Sequence, residues 1–108
     1  MYFPTIDQRQ IKDLVDGVHA RTFWGENMLM AYVDLDANAI IPIHHHVHEQ
    51  MGVVLQGKLQ FTIADEVRDL QPGDIYIIPS GINHGVIVGP EPARVLDIFS
   101  PVREEYKY

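Results

Sequence analysis

Short apolar runs separated by turn-forming residues are the feature that most restricts how this 108-residue chain can fold. The runs are rich in branched and aromatic residues, which favour β-strands. Turn residues recur about every 8 to 12 positions, the spacing typical of an antiparallel sandwich or barrel. The sequence predicts strands at residues 18–24, 28–35, 40–46, 51–55, 59–64, 75–78, 86–88 and 95–99.

Only residues 6–15 carry a helical pattern, and it is weak, with Ile11, Leu14 and Val15 on one side. The prediction is therefore an all-β fold preceded by a short helical or irregular N-terminal segment. The length suits one domain, and neither a repeat nor a linker interrupts residues 1–108.

Charge and hydropathy exclude several classes of partner. The formal net charge is −7 and Lys and Arg do not cluster, so nucleic acid and anionic membranes are poor partners. The chain lacks both a leader-like start and an apolar run long enough to span a bilayer, so a cytoplasmic location is predicted. The absence of cysteine excludes disulfides and thiolate ligands.

Four residues have the composition and spacing of metal ligands: His44, His46, Gln50 and His84. In a strand, side chains at i and i+2 point the same way, so the first two imidazoles can meet at one point. A straight strand would carry Gln50 about 20 Å from His44, so the chain must turn near residues 47–49. Gln50 would then open the returning strand, and His84 would come from another hairpin across the barrel.

Other polar residues nearby offer alternatives. The histidine triplet could be a surface run, and His45 is expected to face away from the site. His48 or Glu49 could supply the fourth ligand in place of Gln50. His19 is expected to be an ordinary surface or hydrogen-bonded histidine.

The proposed ligand set restricts the metal and its other ligand. Imidazole nitrogens with one oxygen suit a divalent ion such as Zn, Ni, Fe, Mn or Co. Three neutral imidazoles and an amide leave the full charge of the ion in place, which favours an anionic substrate. A six-coordinate ion would keep two positions free.

The spacing around these ligands resembles the first motif of the cupin family, a glycine, His-x-His, a glutamate and a closing glycine. His44, His46 and Gly57 match, while Asn38 replaces the first glycine and Gln50 replaces the glutamate.

The second cupin motif is also recognisable. Gly73, Pro79, Gly81 and His84 match it, and Val88 stands where the family has asparagine. The resemblance covers about residues 38–57 and 73–88. It implies a single-domain cupin, a double-stranded β-helix or jelly-roll barrel.

Asp97 lies in the middle of an apolar strand, where an unpaired carboxylate is costly. Alternation places it on one face with Val95 and Phe99, and Arg103 could fold back over the cavity as a carboxylate clamp. The structural alternative is a salt bridge between Asp97 and Arg94 or Arg103.

The sequence Asp-x-Phe-Ser-Pro-x-Arg at residues 97–103 further resembles the KdgF cupins of pectin degradation. Those proteins open the ring of 4,5-unsaturated monouronates from pectin or alginate. The resemblance implies metal ligands at His44, His46, Gln50 and His84, and a catalytic role for Asp97 with Phe99 and Arg103 beside it.

The sequence thus predicts a metal-dependent enzyme acting on a small anionic sugar, with no redox cofactor. A metal-dependent dioxygenase and a non-catalytic sugar-binding module are the alternatives. Strands 75–78 and 95–99 are apolar on both faces, which predicts a homodimer or, equally, central strands of a sandwich.

Overall fold

The structure is a computed structural model that describes residues 2–108. These residues form ten strands and a 3-10 helix at Glu104–Tyr106. The strands are β1 (Lys12–Val15), β2 (Val18–Trp24), β3 (Leu29–Leu35), β4 (Ile40–His44), β5 (Glu49–Gln56), β6 (Leu59–Ile63), β7 (Glu66–Leu70), β8 (Ile75–Ile78), β9 (His84–Val88) and β10 (Ala93–Ser100).

The strands form two antiparallel sheets. The six-stranded sheet has the order β1-β2-β3-β10-β5-β8, and the four-stranded sheet has the order β4-β9-β6-β7. Alternate residues of each sheet point inward, and among the described residues the core includes Leu29, Val33, Val54, Phe61 and Val86. This architecture confirms the prediction of an all-β jelly roll.

The N-terminal segment is irregular as far as Ile11, in agreement with the predicted helical or irregular segment, but the last residues of the weak helical pattern form a strand. Lys12–Val15 is a strand paired with β2, and Leu14 packs against the core. A helical pattern this short is unstable alone, whereas pairing with β2 satisfies backbone groups. Strand β7 was also missed, because four of its five residues are exposed and leave no apolar run.

Two turns explain why the first cupin motif tolerates one replacement but keeps one glycine. Asn38 has a φ of 62°, a left-handed conformation that asparagine tolerates better than most residues. Gly57 has a φ of 81°, and a Cβ there would lie 2.6 Å from the Pro92 carbonyl oxygen. Asn38 therefore adopts a glycine-like backbone, while Gly57 has no room for a side chain.

Within residues 2–108, the single helix is one 3-10 turn, far too short and polar to cross a membrane. The structural elements that matter for function lie at one end of the barrel. There β4 and β9 of the smaller sheet face β5 and β10 of the larger one, and the C-terminal segment lies beside them.

Candidate metal centre and its cavity

Three histidines converge at this end of the barrel. His44 ends β4 and pairs in register with His84, which begins β9, and their ring centroids are 4.3 Å apart. The His46 ring lies 4.9 Å from the His84 ring and 5.8 Å from the His44 ring. One ligating atom from each histidine lies within 4.8 Å of those of the other two. The three side chains could therefore bind one ion.

The route by which these residues meet differs from the prediction in two respects. His46 lies beyond the end of β4, so strand alternation does not align it with His44. His84 is not across the barrel from His44 but directly beside it in the same sheet. Gln50 is the residue that comes from the opposite sheet, through β5. The cluster thus joins the two sheets.

Hydrogen bonds to backbone carbonyl oxygens orient all three imidazoles in the same way. Each Nδ1 lies within hydrogen-bonding distance of a carbonyl oxygen two residues away in sequence. The pairs are His44 with Pro42 at 2.8 Å, His46 with His48 at 2.9 Å and His84 with Ile82 at 2.9 Å. A carbonyl can only accept, so each Nδ1 is the protonated donor and each Nε2 is left with a free lone pair. Such second hydrogen bonds commonly orient the histidine ligands of metals.

The surroundings also keep two of the imidazoles neutral. Burial lowers the pKa of His84 to about 4. Burial is the main cause that lowers the pKa of His46, and the positive charge of Arg103 lowers it further. Metal ligation requires the neutral imidazole, so both side chains are in the required form at neutral pH.

Gln50 is buried beside this cluster, and its Oε1 lies 3.1 Å from Nε2 of His46. The two alternatives for the fourth ligand are placed differently. Glu49 is exposed, and the His48 side chain lies outside the three-histidine group, with its carbonyl accepting from His46. His45 is exposed, as expected. Of the three candidates for the fourth ligand, Gln50 is the one whose side chain reaches the three histidines.

This donor set fits a divalent metal. Three imidazole nitrogens and one amide oxygen are neutral donors of the kind that Zn, Fe, Ni, Co and Mn accept. The set contains no carboxylate, so a bound ion would keep its charge and attract an anion to any free position.

Asp97 lies next to this group on β10. Gln50 pairs with Phe99, which makes Asp97 its diagonal neighbour across the two strands. The Tyr76 hydroxyl donates a hydrogen bond to Oδ1 of Asp97. Burial raises the pKa of Asp97 to about 6, and hydrogen bonding from Tyr76 and Gln50 and the charge of Arg103 oppose that rise.

Asp97 forms neither of the two salt bridges considered as the structural alternative, because both arginines pair with other carboxylates. Arg94 donates to Asp34 at 2.6 Å, and Nε of Arg103 donates to Glu105 at 2.9 Å. The carboxyl group of Asp97 therefore has a tyrosine as its close partner and faces the cavity.

Arg103 is held by aromatic rings at the cavity wall. Its guanidinium carbon lies 5.1 Å from the centroid of Phe99 and 4.1 Å from that of Tyr106, and only 15% of the side chain is exposed. The single Nε donor is used by Glu105, which leaves the four N–H donors of the terminal nitrogens for a ligand. The sequence predicted this fold-back but not the contribution of Tyr106.

A cavity of about 430 Å³ connects these residues. His44, Gln50, His84, Asp97 and Arg103 all line it, and apolar side chains form most of the remaining wall. Tyr76 also lines it and was missed from the sequence. Gly52, in the middle of a strand, is the signal that could have suggested a close approach there.

The cupin prediction is confirmed by comparison with known families. The family described as "Cupin domain" matches residues 31–99, and the chain belongs to this family.

Solved structures resemble nearly the whole chain. KdgF from Halomonas sp. is 27% identical with a TM-score of 0.89, covering 95% of this chain and 96% of that one. An RmlC-like cupin from Shewanella frigidimarina is 24% identical with a TM-score of 0.93, covering 99% and 96%. The second similarity shows the fold alone.

Two protein sequences are also similar. An uncharacterized protein from Streptomyces coelicolor is 27% identical over 86 residues, covering 80% of this chain and 82% of that protein. Oxalate decarboxylase OxdC from Bacillus subtilis is 29% identical over 79 residues, covering 68% of this chain. The aligned part is 20% of the decarboxylase, so the chain matches only a fraction of that enzyme.

Proposed function

We propose that this cupin is a metal-dependent enzyme that opens the ring of a 4,5-unsaturated monouronate from pectin or alginate breakdown. The observation that carries the proposal is the convergence of Asp97 and Arg103 with the three-histidine cluster on one cavity. The similarity to KdgF over nearly the entire chain supports it.

The charges around the cavity suit an anionic sugar. The divalent metal would be held by His44, His46, Gln50 and His84. When bound, it would act as a Lewis acid and stabilise negative charge on a substrate oxygen. Arg103 offers its unused terminal N–H donors to the substrate carboxylate, a geometry that guanidinium groups favour. Phe99 holds the guanidinium from one side and forms part of the wall.

Asp97 is the residue for proton transfer. Its carboxylate accepts the proton of the C1 hydroxyl as the bond between C1 and the ring oxygen breaks. C1 becomes an aldehyde, and the bond electrons pass to the ring oxygen, which is left as an enolate on C5. Asp97 then returns the proton to C4 and C5 becomes a ketone, so the reaction is an isomerisation without an external oxidant.

The test is to incubate purified, metal-loaded protein with 4,5-unsaturated galacturonate and follow the ultraviolet absorbance of its conjugated double bond. We expect the absorbance to fall and an open-chain keto-aldehyde to appear in the NMR spectrum. Tight binding without turnover would instead indicate the sugar-binding module. Activity with iron alone, coupled to oxygen consumption, would indicate the dioxygenase.

Gln50→Glu is expected to retain the metal and lose most of the activity. A carboxylate in the ligand set adds a negative charge that weakens attraction for an anionic substrate. It also removes the amide N–H group that hydrogen-bonds to Asp97 and replaces it with a carboxylate oxygen, which can only accept. Elemental analysis and steady-state kinetics of the variant test this, and turnover equal to wild type would contradict the charge argument.

We further propose that the outer face of the six-stranded sheet binds a second copy of this chain. A row of half-exposed apolar side chains crosses four adjacent strands, β3, β10, β5 and β8. The row is Met30, Ile98, Met51 and Ile77, with exposures of 39% to 55%.

The charges beside this row permit two copies to approach. Asp34 lies between Arg21 at 3.5 Å and Arg94 at 2.6 Å, so this group of three charges keeps only one net positive charge. A two-fold dimer would place the same face against itself and remove both rows from water.

Met51→Glu is expected to convert the dimer to monomer, because the charge would be buried without a partner. Ile87→Glu, on the outer face of the other sheet and 50% exposed, is the matched control and should remain dimeric. Sedimentation velocity measures both. A monomeric wild-type protein would overturn the proposed interface.

A further inference from the structure

Tyr76 is a polar residue of the cavity wall, and the reaction proposed above does not yet use it. It is 5% exposed, and its ring packs against Phe61 with centroids 4.4 Å apart. Its hydroxyl donates to Oδ1 of Asp97, although the two residues lie on strands that are not neighbours.

A glycine on the intervening strand makes this contact possible. Tyr76 on β8 is in register with Gly52 on β5, and Gly52 is in register with Asp97 on β10. A Cβ at Gly52 would overlap the ring and hydroxyl of Tyr76. The tyrosine thus crosses β5 through the space that a side chain would occupy.

We propose that Tyr76 is a positioning residue for Asp97, and that Gly52 is required because it leaves the space for this contact. The role rests on the proposed function, in which Asp97 moves the proton. With Oδ1 held by Tyr76, the carboxyl group cannot rotate freely, so its orientation toward the cavity is fixed during proton transfer. Burial and the nearby carboxylate raise the pKa of Tyr76, so the hydroxyl stays a donor.

Tyr76→Phe is expected to lower kcat by about 10-fold to 100-fold, the range for losing a hydrogen bond to a charged group. KM should change by less than about twofold, because Tyr76 acts through Asp97 rather than on the substrate. Tyr32→Phe is the matched control, since Tyr32 lies on the outer face under Arg94 and should keep full activity. An unchanged kcat in Tyr76→Phe would overturn the proposal.

A double-mutant cycle separates positioning from a general structural effect. In an Asp97→Asn background, Tyr76→Phe should lower the remaining activity by less than about twofold, because the group it positions is already inactive. An equal loss in both backgrounds would mean that Tyr76 acts independently of Asp97, and the proposal would be wrong.

Proton NMR tests the contact without any substrate. A buried hydroxyl donating to a carboxylate should give a slowly exchanging downfield signal. That signal should be present in wild type and Tyr32→Phe but absent in Tyr76→Phe and Gly52→Ala. Its absence from wild type would overturn the inference even if uronate is turned over. A wild-type protein that shows the signal but never turns over uronate would refute the proposed function, and with it the role in that reaction, while the contact stands.

Discussion

Replacing His84 with alanine is expected to lower the affinity for divalent metal by more than about 10²-fold. Loss of a residue that only supports a ligand typically costs 10-fold to 100-fold, so loss of a direct ligand should cost more. The same holds for His44 and His46, since each contributes one of three atoms that lie within 4.8 Å of one another. Elemental analysis after dialysis against a metal buffer, with isothermal titration of the apoprotein, measures the effect.

His45→Ala is the control for these variants. It removes the same group from the same segment, but its side chain is exposed and outside the cluster. We expect its metal content to equal that of wild type. Equal metal content in all four variants would refute the site, and a loss in His45→Ala alone would mean that the wrong face of the segment has been assigned.

Asp97→Asn is expected to lower turnover of the unsaturated uronate by at least about 10², because general acid–base catalysis contributes about 10² to 10⁴ in rate. Asparagine has nearly the same shape, and its side-chain oxygen can still accept from the Tyr76 hydroxyl. The variant should therefore remain folded and metal-loaded. Steady-state kinetics, metal analysis and thermal unfolding of the same preparation provide the test.

Arg103→Ala should act differently, mainly by raising KM, because the guanidinium is assigned to the substrate carboxylate rather than to proton transfer. The two variants therefore separate binding from chemistry. If Asp97→Asn instead lowers thermal stability and leaves turnover of the folded fraction intact, Asp97 is a structural residue and the catalytic assignment fails.

Most of the strand pattern could be predicted because it depends on local sequence. Residues 18–24 and 75–78 form strands with the predicted bounds, and turn residues separate them from their neighbours. The pattern failed where local signals were weak. Lys12–Val15 owes its strand conformation to pairing with β2, and Glu66–Leu70 forms an exposed strand paired with β6.

The candidate ligands could be predicted because three of them are close in sequence and the fourth lies in a recognisable motif. How they meet could not. Alternation along a straight strand accounts for His44 but not for His46, which lies after the strand ends. The direct pairing of His44 with His84 depends on the register between β4 and β9, which are separated by four other strands in the chain.

By itself, the sequence determined the all-β class, the family motifs and the residue types available for a metal and a proton. Those properties follow from local propensity, spacing and side-chain chemistry. Only the tertiary structure decided that Gly52 leaves room for Tyr76 to reach Asp97. The reason is that these residues become neighbours only after β5 pairs with both β8 and β10, and a register shift of one residue would turn alternate side chains to the opposite face.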